Sequence, residues 1–262
     1  MKTRFSPISA SALQQAVDGL KKRNVNRTLL TNYFLQPLGA LVNLQMAESE
    51  HNLCFLHEEW DFGRAYFFSF DTEEMAGFLE SADWPSIVVS DWPSKGPPVV
   101  DSQLARLGFH LHTVYDRMVC PALRSERTYD LNCLASDADR DALAVLLLKV
   151  FDKYADHIIS DQEIGDLIGL KQVILSRDAQ KHITSLAIFR VTGQKCNFNF
   201  LYSSGSPLDL TRLLGNFYGV LAARNVRSGF GWVRRTRPLV LKLHQSFGWR
   251  TDGLVNHIYM RS

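Results

Sequence analysis

The chain has 262 residues, 46% of them hydrophobic and 21% charged, with a formal net charge of +2 at pH 7. That balance excludes a disordered or fibrous chain. No segment approaches the roughly 18 consecutive apolar residues that would cross a bilayer, so no membrane partner is expected, and the length suits two domains of roughly 130 residues each.

The N-terminus, Met1-Lys2-Thr3-Arg4-Phe5-Ser6-Pro7, lacks the apolar core of a signal peptide. Ser9 or Ser11 is placed to cap a helix over about Ala12 to Lys22. A helical pattern continues from Asn26 to Gln45, broken or restarted at Pro37. Asn52 to His57 and Arg64 to Phe70 read as strands joined by the turn Asp61-Phe62-Gly63. Thr72-Glu73-Glu74 opens a helix with acids in its first turn, where the helix dipole favours them. Ser86 to Ser90 is a short β-branched strand. An amphipathic helix beginning at Asp101 follows, stopped at Gly108 before Phe109, and a strand-like run contains Tyr115-Asp116-Arg117.

Pro121 to Thr128 shows neither periodicity and reads as the linker between two domains, 1–125 and 126–262. Tyr129 to Leu134 is strand-like. Ser136-Asp137-Ala138-Asp139 caps a helix to about Tyr154, and a shorter helix covers Asp161 to Leu170. Three strands follow, at Gln172 to Ser176, Ile183 to Val191 and Asn197 to Tyr202, the last two joined by a hairpin turn at Gly193-Gln194. A helix from about Asp209 to Arg224, a strand from Phe230 to Arg234, a helix with Pro238 in its first turn and a closing strand complete the chain. Antiparallel strands followed by strand–helix alternation indicate a mixed α/β sheet with helices on both faces.

Two local distributions stand out. Glu48 to Glu80 holds nine acidic residues and one basic one, Arg64, whereas Arg224 to Arg250 holds seven basic residues and no acidic one. Such asymmetry marks an anionic ligand site, halves that attract each other, or a solvated face. Cys54, Cys120, Cys133 and Cys196 lie far apart with no CxxC spacing. That argues against a metal site and fits reduced thiols in a cytoplasmic protein.

The chain uses one ending twice. Leu104-Ala105-Arg106-Leu107-Gly108-Phe109 is matched by His244-Gln245-Ser246-Phe247-Gly248-Trp249, and each copy leads into a strand carrying a Tyr and an Arg, Tyr115 and Arg117 or Tyr259 and Arg261. A repeat on the scale of half the chain means two related domains. The element order of the second half, with Ser246-Phe247-Gly248-Trp249 and Tyr259-Met260-Arg261, resembles the GCN5-related N-acetyltransferase (GNAT) superfamily. The resemblance covers about Tyr129 to Ser262 and, in the first half, Pro85 to Cys120. It implies a tandem of two GNAT-like domains, each a twisted mixed sheet with helices on both faces, the first divergent and non-catalytic.

The resemblance further implies an acyl-CoA-dependent N-acyltransferase, with acetyl-CoA or another acyl-CoA in a cleft between two splayed parallel strands of the second domain. The acceptor would be a small molecule or another amine-bearing partner, and the donor arm could also be presented by an acyl carrier. The cofactor's diphosphate would meet the helix start after Tyr202-Ser203-Ser204-Gly205-Ser206, because free amides and the helix dipole favour an anion there. Pro207 removes one of those amides and Asp209 adds a negative charge, so the turn reads equally as a plain helix cap. His244 stands where the family often places a proton-donating Tyr, and an imidazole can exchange a proton near neutral pH. Its counterpart in the first half, Leu104, cannot. Among Arg234, Arg235 and Arg237, a contact from Arg237 to a cofactor phosphate competes with salt bridges, and no aromatic–basic interleaving supports nucleic acid. Asn197 and Asn199 supply amides where the family often has a carboxylate base, and alternation puts Phe198 and Phe200 together on one face. The alternative to an enzyme is a binding or structural protein on the same scaffold.

Overall fold

The computed structural model describes residues 4–33, 38, 41, 43–80, 82–123 and 128–262. The chain forms two compact units, Met1–Tyr115 with Leu254–Ser262, and Asp116–Gly253. The division read from the sequence, 1–125 and 126–262, assigns the last strand to the second domain; in the fold its residues from Leu254 onward belong with the first unit. A sequence repeat reveals related halves but not which strand completes which sheet. Part of the linker read at Pro121 to Thr128 lies outside the described residues.

The first unit opens with strand β1, Ser6–Ile8, and helix α1, Ala10–Arg23. Ser9 caps α1, its Oγ accepting the Ala12 N–H at 3.2 Å. The helix expected over Asn26 to Gln45 falls partly on undescribed residues. Its described ends are extended, as β2, Leu30–Thr31, and the start of β3, Leu44–Glu48, because both stretches find strand partners that outweigh a weak helical pattern. Strands β4, Asn52–Glu59, and β5, Phe62–Ser69, pair antiparallel. Helix α2, Thr72–Leu79, is capped by the Asp71 carboxylate, which accepts from the amides of Glu73 and Glu74. Strand β6, Val88–Ser94, helix α3, Asp101–Arg106, and strand β7, His110–Cys120, follow. The sheet of this unit runs β1, β3, β4, β5, β6, then the chain's last strand, β12 (Arg250–Arg261), then β7. Its two faces have separate cores. Leu13, Val17 and Leu20 of α1 meet Phe55, Tyr66 and Phe68 on one; Met75, Leu79 and Leu104 meet Phe67, Trp92 and Phe109 on the other. Each fully buried Leu or Phe contributes about 1.5–3 kcal/mol by leaving water.

The second unit begins differently from the sequence reading. Tyr129 to Leu134 is a 3-10 turn at Leu131–Cys133 with a single bridge from Leu134 to Ile174, not a strand. Its helices are α4, Arg140–Val150, α5, Asp161–Gly169, α6, Pro207–Ala223, and α7, Pro238–Ser246; its strands are β8, Val173–Arg177, β9, Ile183–Thr192, β10, Lys195–Ser203, and β11, Ser228–Arg234. The sheet runs β7, β11, β10, β9, β8. Helices α4 and α5 cover one face through Leu143, Leu147, Ile164 and Leu167, and α6 the other through Leu213, Leu214 and Phe217.

The repeated ending is a repeated geometry. Gly108 (φ +82°) and Gly248 (φ +84°) adopt the left-handed conformation that ends a helix. The amide of Phe109 then reaches the Leu104 carbonyl at 3.0 Å, and that of Trp249 reaches the His244 carbonyl at 3.1 Å. Among the described residues, no helix is long and apolar enough to cross a membrane.

Candidate functional site

In the second unit β10 and β11 run parallel only from Lys195↔Ser228 to Phe198↔Gly231, and beyond that pair they part. On its other edge β10 stays on β9, but its register shifts between Phe198 and Phe200. Asn199 is the extra residue of this β-bulge. A bulge re-aims the side chains beyond it. Phe198 therefore joins the α6 core and Phe200 the α4–α5 core, which corrects the strict alternation that put both on one face. Gly231 allows the root of the fork to close, since a Cβ there would sit 2.9 Å from the Phe198 carbonyl oxygen.

His244 faces this root from α7. Its ring lies 5.4 Å from Phe198, edge-on, and 5.3 Å from Trp249. Phe198 stacks in turn on Phe217 at 4.6 Å, and Trp249 donates its indole N–H to the Tyr218 hydroxyl at 2.7 Å. The imidazole is 4% exposed. Burial without a charged partner pulls its pKa down to about 4, so the ring is neutral at pH 7. Among the described residues no donor or acceptor meets either ring nitrogen.

The turn expected to receive phosphate is committed to the protein itself. Tyr202 packs toward the α4–α5 core opposite Leu186. The Ser203 hydroxyl shares a hydrogen bond with that of Ser185 at 2.7 Å, and Ser204 donates both its amide and its hydroxyl to the Thr184 carbonyl. Ser206 caps α6 in a capping box with Asp209, whose Oδ2 accepts the Ser206 amide at 3.0 Å and its hydroxyl at 2.7 Å. Gly205 lies under the same carboxylate, whose Oδ2 would be 3.0 Å from a Cβ at that position. These residues fit a helix cap better than an anion cradle.

The basic stretch is likewise spoken for in part. Arg234 pairs with Asp152 at 3.1 Å and Asp156 at 3.4 Å, and Arg235 with Asp116 at 2.7 Å. Arg237 is exposed at the N-cap of α7, where its carbonyl accepts from Val240 and Leu241. Sequence reasoning missed Asp152 and Asp156, which sit in the segment after α4 and meet β11 three residues beyond the fork. The i, i+4 spacing of two acids past a helix end was the available signal. The acidic stretch finds partners in its own unit, Arg23 with Glu48, Arg27 with Asp71 and Arg64 with Glu59.

The four cysteines are buried and free. Burial raises the thiol pKa of each, which disfavours the nucleophilic thiolate. Among the described residues no group of three or more His, Cys, Asp or Glu is placed to hold a metal ion.

The first unit has the same fork with something in it. Strands β5 and β6 pair in parallel only at Gly63↔Val88 and Arg64↔Val89. Beyond this, β5 pairs with β2 at Thr31↔Phe68 and Leu30↔Ser69. The next residue, Asn32, places its carboxamide between the arms. It accepts the Phe67 amide at 2.7 Å and donates to the Ala65 carbonyl and the Ser90 hydroxyl, each at 3.0 Å. Arg64, fully buried, reaches Glu59 at 2.9 Å and Asp91 of β6 at 3.1 Å, clasping the two arms.

No family model matches this sequence, and no curated protein does. Solved structures do. An acetyltransferase of the GNAT family from Colwellia psychrerythraea aligns with a TM-score of 0.57 at 11% identity over 99% of this chain and 98% of its own. A tandem GNAT protein from the clavulanic acid biosynthesis pathway gives 0.57 at 10% identity over 98% and 97%. A GCN5-related N-acetyltransferase from Sphaerobacter thermophilus gives 0.56 at 10% identity over 83% and 80%. The fold is that of GNAT acetyltransferases in a tandem arrangement.

Proposed function

We propose that the second unit transfers an acyl group from a pantetheine thioester, as carried by acetyl-CoA, to an amine at the root of the β10–β11 fork. The observation that carries this reading is the parting of β10 from β11 at Phe198 and Gly231, with a bulge at Asn199 on one arm and a neutral histidine facing the root. An extended, amide-bearing arm is a natural occupant of such a fork, because beyond Phe198 the edge of β10 has no β11 partner and a strand edge binds extended chains through its backbone. Bound there, the donor supplies an activated acyl thioester.

The residues of the chain then have limited and definable roles. A neutral imidazole offers one N–H donor and one acceptor. Because burial keeps His244 uncharged, its contribution is a hydrogen bond toward developing negative charge, not a proton delivered from an imidazolium. Phe198 and Trp249 flank it, with Phe217 stacked behind Phe198, and this hydrocarbon strengthens such a bond by keeping water away. Asn199, exposed on the bulge, is placed to orient an acceptor. The first unit is non-catalytic in this reading, since Asn32 fills its fork and Leu104 replaces the histidine. The alternative, a binding protein on the same scaffold, is favoured by the Ser206–Asp209 box at the start of α6.

Incubating the full chain with acetyl-CoA and a panel of amino acids, amino sugars and lysine peptides, followed by mass spectrometry, tests the reading. An acetylated product that falls roughly 10²–10³-fold in His244→Phe is expected. A panel with no acetylated product at any acceptor would leave the binding-protein reading in its place.

A further inference from the structure

Taking the β10–β11 fork as the donor site, we infer that the donor is recognised through its acyl group and pantetheine arm, and that the diphosphate of coenzyme A contributes nothing to its affinity. A helix start attracts a phosphate because its first amides are unpaired and its dipole is positive there. At α6 most of those attractions are already met. The Ser206 amide and hydroxyl both donate to Asp209 Oδ2, and the Asp209 amide donates back to Ser206 Oγ at 3.2 Å. Pro207, the first helical residue, has no amide to give. Leu208 beside it is 57% exposed, so the first turn presents hydrocarbon where a phosphate would need donors.

The charge at this end is also filled. Hydrogen bonds from Ser206 hold the Asp209 carboxyl below its ordinary pKa, so it is an anion at neutral pH and occupies the position a diphosphate would neutralise. Among the described residues, Arg212 is the cation paired with it, 3.9 Å from Oδ1. Ser203 and Ser204, the remaining hydroxyls of the turn, are bonded to β9. A second anion brought to this turn meets repulsion and an occupied cap. The fork is unaffected by any of this, because its free strand edge begins at Phe198, well inside the turn. The group attached beyond the pantetheine, whether nucleotide or carrier, is therefore left unread.

The test compares acetyl-CoA with S-acetylpantetheine, which has the same arm and thioester but neither diphosphate nor nucleotide, by ligand-observed NMR titration on the full chain. Dissociation constants within about threefold of each other are expected, with ADP failing to displace S-acetylpantetheine. Asp209→Asn keeps an oxygen for the cap and removes the charge. It is expected to tighten acetyl-CoA about two- to fivefold and leave S-acetylpantetheine unchanged. Acetyl-CoA binding tenfold or more tightly than S-acetylpantetheine to the unmodified chain would overturn the inference while sparing the acyl-transfer reading. Saturation by neither ligand would overturn both.

Discussion

The Tyr259 hydroxyl donates to the Asp101 carboxylate at 2.7 Å, tying the last strand of the chain to a helix 158 residues earlier. Around this bond β12 pairs antiparallel with β6 from Val255↔Ser94 to Arg261↔Val88, and Ile258 and Tyr259 are buried. The first unit is therefore incomplete without the C-terminus. A chain ending at Gly253 leaves the edge of β6 unpaired and removes two core residues. Its first unit is expected to lose amide protection and to regain it when a peptide of residues 250–262 is added. Hydrogen exchange that protects β6 equally with and without Leu254–Ser262 would contradict this.

Asn32 offers a second check. Its carboxamide satisfies the Phe67 amide and the Ala65 carbonyl inside a fork that excludes water. Asn32→Ala strands the Phe67 amide, whereas the Ala65 carbonyl keeps the Ser90 hydroxyl at 3.1 Å, and one buried donor without a partner costs roughly 1–3 kcal/mol. Urea denaturation should show that loss in the first unit, with the proposed acyl transfer by the second unaffected. Asn32→Asp, which keeps the acceptor but replaces the donor with a charge, should be no milder.

The root of the second fork depends on Gly231. A methyl group there would lie 2.9 Å from the Phe198 carbonyl oxygen and 3.2 Å from its Cβ. Gly231→Ala must push β11 away from β10, at a cost of about 1–3 kcal/mol. Because the displaced atoms belong to the bulge itself, donor affinity should fall along with stability. Gly77→Ala, in a helix where a Cβ would meet nothing within 4 Å, is the control and should be neutral or slightly stabilising.

The sequence displays these features unevenly, for physical reasons. Helices α1, α2, α5 and α6 carry their own caps and periodicity, and α7 its Pro238 start and Gly248 stop, so they are readable one at a time. The second-half strands β8, β9 and β10 are bounded by turns. Strand β2 is two residues whose extended form exists only because β5 offers them an edge. The bulge at Asn199 is invisible to an alternation argument, since it depends on how β9 and β11 compete for the two edges of β10. The reach of β12 into the first unit is a question of pairing partners, which periodicity does not encode. At the site, His244 is legible through the resemblance of the closing motif to the GNAT superfamily, and Leu104 as its counterpart through the repeated ending. That the phosphate turn is self-capped was half legible in Pro207 and Asp209, whereas the commitment of Ser203 and Ser204 to β9 required the sheet.

His244 gives the sharpest test, because the first unit already shows what the fold accepts in its place. Leu104 is fully buried at the corresponding point before Gly108, so His244→Leu is a substitution this ending tolerates. In the folded chain burial lowers the imidazole pKa to about 4, whereas in the unfolded chain it is about 6.5. Between these values the unfolded state binds more protons, so stability is fully present above pH 6.5 and is lost as pH falls toward 4, by up to about 3 kcal/mol. His244→Leu removes that loss. Measured by urea denaturation from pH 7 to pH 4, the unmodified chain should lose stability more steeply than the variant. The proposed acyl transfer should show no limb from His244 between pH 5 and 8 in the unmodified chain, and in that reading His244→Leu lowers turnover across the whole range. Parallel stability curves for the two proteins would mean that the imidazole titrates as if exposed. The neutral hydrogen-bonding role would then give way to ordinary proton transfer by His244.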